Sequence, residues 1–121
     1  MDGIKITPEA QQILLELQAY QQQMQTVLIQ KETLNMQNME IDKALEELGK
    51  VKDEDVFKAV GPILIKSEKG KLTKELNEKK ETVDLRLKSL QKQETRMREK
   101  LEESQKKLEE ILKGSEEKDA E

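Results

Sequence analysis

The chain has 121 residues, 40% of them charged, 34% hydrophobic and 2% aromatic, with a net charge of −4 from 22 basic and 26 acidic side chains. A globular domain carries about 45–50% apolar and about 25% charged residues, so a thick core is excluded; a disordered polyelectrolyte or long helices burying a narrow stripe remain. Near-balance of abundant charges argues against disorder, and the missing basic excess argues against nucleic-acid binding.

Cysteine and histidine are both absent. That removes disulfides, thiolate metal sites and the commonest general base and metal ligand. No cofactor or metal is expected. No apolar run approaches the roughly 18 residues that span a bilayer, and Met1-Asp2-Gly3-Ile4-Lys5 does not open a signal peptide. The expected address is the cytoplasm, away from membranes.

In chain order, the first element is a long helix. Thr7 is placed to cap it, Pro8 suits the first helical position, and Glu9 complements the positive end of the dipole. The next Gly or Pro is Gly49, so a helix over residues 8–48 is expected, closed by a left-handed glycine cap. A lone helix of roughly 60 Å would leave its stripe exposed and needs a partner helix. Val56-Phe57-Lys58-Ala59-Val60, Gly61-Pro62 and Ile63-Leu64-Ile65-Lys66-Ser67 then read as strand, turn and strand, a hairpin over 55–67. Glu68-Lys69-Gly70 reads as a second turn into another Gly- and Pro-free helix over 71–113. The acidic tail 114–121 is expected to be disordered. The whole reads as a single domain, mainly α, an antiparallel two-helix coiled coil with one β-hairpin at the bend.

The heptads can be counted. One row of the first helix is Ile13, Tyr20, Val27, Leu34, Ile41 and Leu48; the other is Ala10, Leu17, Met24, Lys31, Asn38 and Leu45. The second helix offers Leu76, Val83, Leu90, Met97, Ser104 and Ile111, with Thr73, Lys80, Leu87, Glu94, Leu101 and Leu108. A strict seven-residue repeat of this length implies a left-handed supercoil. Antiparallel alignment sets Leu45 against Leu76, Leu34 against Leu87, Met24 against Met97, Tyr20 against Leu101 and Ile13 against Leu108. It also brings Lys31 near Glu94, either as a register device or as two side chains that reach for water.

Two places carry more apolar surface than the seam uses. The hairpin holds the densest cluster, and an isolated two-stranded hairpin is not stable in water. With both edges unpaired and nothing else in the chain to cover it, it implies oligomerisation. The start of the first helix and the end of the second add Leu14 beside Ile13, Leu112 beside Ile111, and Ile4 and Ile6 ahead of the helix. These either pin a fraying end or offer a grip to apolar segments of other proteins.

These strings resemble the β-type subunit of prefoldin. The resemblance rests on Tyr20-Gln21-Gln22-Gln23, Asp42-Lys43-Ala44-Leu45-Glu46-Glu47-Leu48, the hairpin Val56 to Ile65, Lys74-Glu75-Leu76 through Arg86, and Gln93-Glu94. It covers about residues 8–113; the hairpin string is its most specific part. The α type carries two hairpins between its helices and this chain has room for one. The compact length is similar to archaeal forms, and Pro62 departs from the pattern in a way that stiffens the turn.

The resemblance implies a hexamer of two α-type and four β-type subunits, built on intersubunit β-barrels. Such a particle is an ATP-independent holdase that binds unfolded proteins at coiled-coil tips and passes them to a group II chaperonin. By position, Val56, Phe57, Val60, Ile63, Leu64 and Ile65 would hold the assembly. Ala10, Ile13, Leu14, Leu17, Leu108, Ile111 and Leu112 would contact clients, and Glu109, Glu110, Glu116 and Glu117 would face the chaperonin. The alternative is a coiled-coil scaffold without client binding. An enzyme fits worst, since the residue constellations of catalysis are missing from the sequence.

Overall fold

In a computed structural model of the chain, residues 6–52 and 55–120 are described, with side chains up to residue 114. Ile4 and the side chains of Glu116 and Glu117 lie outside the described residues. The elements run α1 (Pro8–Lys50), β1 (Asp55–Val60), β2 (Ile63–Glu68) and α2 (Lys69–Ala120).

The start of α1 is built as its residues dictate. The Ala10 N–H donates to Thr7 Oγ1 at 3.1 Å, and the Gln11 N–H donates to the Thr7 carbonyl at 2.9 Å. One side-chain oxygen thus satisfies a donor that the first turn leaves orphaned.

The glycine stops expected from the sequence do not form. Among the described residues the only positive φ is at Gly61, +57°, so neither Gly49 nor Gly114 adopts a left-handed cap. The helix passes through Gly49 to Lys50, whose ammonium meets Glu46 and Glu47 one turn back, each at 3.5 Å. A cation in the last turn of a helix is favourable. Just beyond it, the Val51 carbonyl accepts from Lys69 Nζ at 2.7 Å. The turn expected at Glu68-Lys69-Gly70 is absent as well, because β2 ends at Glu68 and α2 starts at the next residue. At the other end α2 continues past Gly114 to Ala120, where an acidic tail was expected. The Glu- and Lys-rich sequence there consists of good helix formers, and a single glycine costs a helix only about 1 kcal/mol.

Two units emerge, one of Met1–Gln30 with Leu90–Glu121, the other of Lys31–Ser89. In the first, Ala10, Ile13, Leu17 and Val27 of α1 and Leu90 of α2 are buried. Tyr20, Met24, Met97, Leu101 and Leu108 are half-buried. Lys100 lies over the Tyr20 ring, 5.7 Å from its centroid, one residue from the Tyr20–Leu101 alignment. The buried Glu94 (6% exposed) accepts from Arg98 at 2.9 Å, a partner one turn along its own helix.

In the second unit Leu34, Ile41, Leu48 and Val83 are buried. The Leu34–Leu87 alignment, moved one helical turn, places Asn38 opposite Val83. Asn38 Nδ2 donates to the neighbouring Asp84 Oδ1 at 2.7 Å. Lys80, a seam position, turns its ammonium to Asp42 Oδ1, also at 2.7 Å. Its pKa is raised above the ordinary lysine value, first by the hydrogen bond to Asp42; desolvation opposes this, and the charges of Asp42 and Asp84 add to the rise. In both units every buried apolar side chain occupies a counted heptad position.

Gly61 and Gly114 should respond oppositely to alanine. No atom lies within 4 Å of a Cβ at either. Gly61→Ala meets only the left-handed backbone penalty and should cost about 1–2 kcal/mol, whereas Gly114→Ala should stabilise α2 by about 0.5–1 kcal/mol. Thermal unfolding measures the first and amide exchange around residue 114 the second. Stabilisation by Gly61→Ala would contradict the turn geometry.

For Lys80 the raised pKa gives stability that is complete below the ordinary lysine value of about 10.4 and lost as pH climbs through the higher folded value. The difference in unfolding midpoint between the parent and Lys80→Met should therefore stay flat from neutral pH to about 10. Above that it should shift in favour of the variant. A change between neutral pH and mild alkali would contradict the Asp42 pairing.

Candidate functional site

The hairpin is held in register by six antiparallel pairs from Asp55↔Glu68 to Val60↔Ile63. Gly61 takes a positive φ and Pro62 a negative one, the type II′ pattern that matches the twist of paired strands. Strand alternation then sets Val56, Lys58, Val60, Ile63, Ile65 and Ser67 on one face. Asp55, Phe57, Ala59, Leu64, Lys66 and Glu68 share the other.

The first face leans on α2. Lys58 Nζ reaches Glu75 Oε2 at 3.1 Å, and Val56 and Ser67 are half-buried. A groove of about 810 Å³ opens there, lined by Leu48, Val51, Val56, Leu72 and Leu76 among others. On the second face Lys66 pairs across the strands with Asp55 at 3.5 Å. Phe57 is 63% exposed and Leu64 71%; Val60, Ile63 and Ile65 are exposed too. Apolar side chains project from both faces, so a cover on one side would leave the other wet.

The second candidate surface lies in the unit that holds the start of α1 and the end of α2. Of the seven residues assigned to it from the sequence, Ala10 is fully buried, and Ile13 and Leu17 are buried in the seam. Leu108, Ile111 and Leu112 are half-buried, and Leu14 is exposed. The structure thus separates seam packing from outward surface where sequence proximity had merged them. Leu15, missed by that assignment, is 67% exposed, and Ile6, Leu28 and Ile29 are exposed as well. The heptad frame contained the signal, since none of these three leucines and isoleucines of α1 falls on a seam row. Glu109 and Glu110 are exposed.

The sequence also left the polar layer of Asn38, Asp42, Lys80 and Asp84 unassigned. Asn38 and Lys80 stood out as polar seam positions, and each has an aspartate beside the residue it faces.

Long helices joined along a seven-residue seam, with one strand hairpin between them in sequence, define a coiled-coil protein that is mainly helical. A family model described as prefoldin subunit matches residues 11–115. The prefoldin subunit beta of Archaeoglobus fulgidus is 45% identical over 109 residues, covering 89% of this chain and 94% of the relative. That of Thermococcus onnurineus is 42% identical over 108 residues, covering 88% and 93%. The crystal structure of the prefoldin beta subunit from Thermococcus strain KS-1 matches with a TM-score of 0.83 and 38% identity, over 91% of this chain and 97% of that one. The chain belongs to the prefoldin family and is of its β type. Prefoldin is a chaperone; its subunits are chaperone components rather than enzymes, and membership implies assembly with other prefoldin subunits. Among the described residues no helix is long and apolar enough to cross a membrane.

Proposed function

We propose that this chain is the β-type subunit of an ATP-independent cytoplasmic holdase, a hexamer of two α-type and four β-type subunits that grips unfolded proteins and releases them to a group II chaperonin. The observation that carries the reading is the pairing of two unsatisfied apolar surfaces on a chain with no thick core. One is the two-faced hairpin; the other is the exposed Leu14 with half-buried Leu108, Ile111 and Leu112 in the same unit.

Each surface has its own task in this reading. Val56, Phe57, Val60, Ile63, Leu64 and Ile65 join strands of neighbouring subunits into closed barrels, which removes the sticky edges. Leu14 and Leu112 make first contact with clients. Ala10, Ile13 and Leu17, buried in the closed seam, join only where the helix ends part. Each contact is weak, but several helix pairs held on one base raise the effective concentration, and avidity can exceed a single affinity by about 10²–10⁴-fold. Weak individual contacts also permit release without nucleotide. Glu109, Glu110, Glu116 and Glu117 supply the charged surface turned toward the chaperonin.

The assembly role is tested by Phe57→Asp with Ile65→Asp, in a chain mixed with its α-type partner and weighed by native mass spectrometry. Helicity should survive and the hexamer mass should vanish; an unchanged mass would rule out the hairpin as the joint. The client role is tested by Leu14→Ser with Leu112→Ser in the assembled particle. Assembly should persist while suppression of aggregation of reduced insulin falls by about tenfold or more, as loss of two apolar side chains from each contact dictates. Full suppression would favour a scaffold without client binding.

A further inference from the structure

Charge in the first unit is sorted by position. Residues 17–30 of α1 hold no charged side chain, and residues 90–101 of α2 hold four cations and two carboxylates, in a chain whose net charge is −4. One of those carboxylates, Glu94, is buried and paired with Arg98. Lys92, Arg96 and Lys100 remain, one every four residues along α2, and all three are exposed. Among the described residues none of the three has a carboxylate within ion-pair distance; the Lys100 ammonium lies over the Tyr20 ring instead. Like charges one turn apart destabilise a helix, and a face that serves only solubility mixes both signs. Beside this ridge opens a groove of about 420 Å³, lined by Gln23, Thr26, Gln30, Gln93, Arg96 and Lys100 around the half-buried Met97. Its α1 wall carries amides and one hydroxyl. The Thr26 hydroxyl donates to the Gln22 carbonyl at 3.1 Å, which leaves its oxygen free to accept.

From this we infer that the ridge of Lys92, Arg96 and Lys100, with its groove, is a docking surface for an acidic segment of a partner protein, bound extended with carboxylates on alternate residues. Spacing, charge and acceptor chemistry select this occupant. Four helical residues rise about 6 Å, and side chains on one face of an extended chain stand about 6.7 Å apart. Three carboxylates at every second position therefore meet three cations over about 12 Å of helix. Arg96 offers a planar fork that can hold one carboxylate by two parallel hydrogen bonds. The glutamine carbonyls and the Thr26 oxygen need donors, which the N–H groups of a peptide backbone supply. An inorganic polyphosphate presents acceptors alone and would set them against these oxygens. The surface is charged and polar where the client surface proposed above is apolar, so the inference goes beyond the holdase reading and does not depend on it.

The test adds a fluorescein-labelled peptide of six Glu-Ser repeats to the assembled particle and reads anisotropy, with a peptide of six Lys-Ser repeats as the charge control. The acidic peptide should bind and the basic one should not. Raising sodium chloride from about 0.05 M to about 0.5 M should weaken binding at least tenfold, because exposed charge pairs are screened. Lys92→Gln with Arg96→Gln and Lys100→Gln keeps good helix formers in α2. It should lower the affinity about tenfold, with particle mass, helicity and suppression of insulin aggregation as in the parent. No binding by the parent, binding that ignores salt, or affinity within twofold of the parent in the glutamine variant would each overturn the proposal. Loss of insulin suppression in that variant would make the ridge part of the client grip and overturn it as well. Tighter binding of inorganic polyphosphate than of the acidic peptide, at equal charge, would reassign the ridge to phosphate and overturn the peptide as its occupant.

Discussion

Among the described residues, burial is confined to a stripe one or two side chains wide. Every buried apolar residue, from Ala10 to Leu48 on α1 and at Val83 and Leu90 on α2, sits on a heptad row. A seam of that width is enough to hold two helices together, because each knob entering a facing hole removes apolar surface from water along the whole repeat. It leaves nothing to spare for the strand hairpin. Twelve strand residues thus carry apolar side chains on both faces with no thick core to receive them, in a family whose membership implies assembly with other subunits. The narrow seam and the need for partners are one constraint viewed at two places along the chain.

The seam is also interrupted by polar residues at a cost. Asn38 donates to Asp84, but its Oδ1 is buried with no partner among the described residues, a penalty of about 1–3 kcal/mol. Lys80 bends out to Asp42 rather than packing. In a stripe that repeats every seven residues, a slip by one heptad would re-bury nearly the same apolar atoms. It would separate Asn38 from Asp84 and Lys80 from Asp42, so the polar layer selects one alignment. The buried Glu94 carboxylate accepts from Arg98 one turn along α2.

Apolar exposure outside the seam is unevenly distributed, and its chemistry divides by element. In the unit of Met1–Gln30 and Leu90–Glu121, α2 is charged at nearly every turn while α1 presents leucine, isoleucine and glutamine. A chaperone has to remain dissolved when empty and still offer apolar surface when loaded. On the proposed reading, solubility falls to one helix and contact to the other, which meets both demands without a large contiguous patch.

Periodicity and turn chemistry made most of this legible in advance. The heptad rows, the Thr7 cap, the Val56–Val60 and Ile63–Ser67 strands and the Gly61-Pro62 turn all follow from residue order, because each depends on neighbours within a turn or a strand pair. Glycine positions misled: Gly49 and Gly114 looked like stops and Gly70 like part of a turn, yet all three lie inside helices, since a helix supported by its surroundings absorbs the small cost that glycine imposes. The residues expected from the sequence to meet clients include buried seam positions, because Ile13 and Leu14 are adjacent in sequence yet differ in burial. The local code thus settles which elements exist and which residues can share a stripe. The burial of Ile13 beside an exposed Leu14, the pairing of Asn38 with Asp84 and the two open faces of the hairpin depend on what each side chain meets across space, which no short stretch of sequence contains.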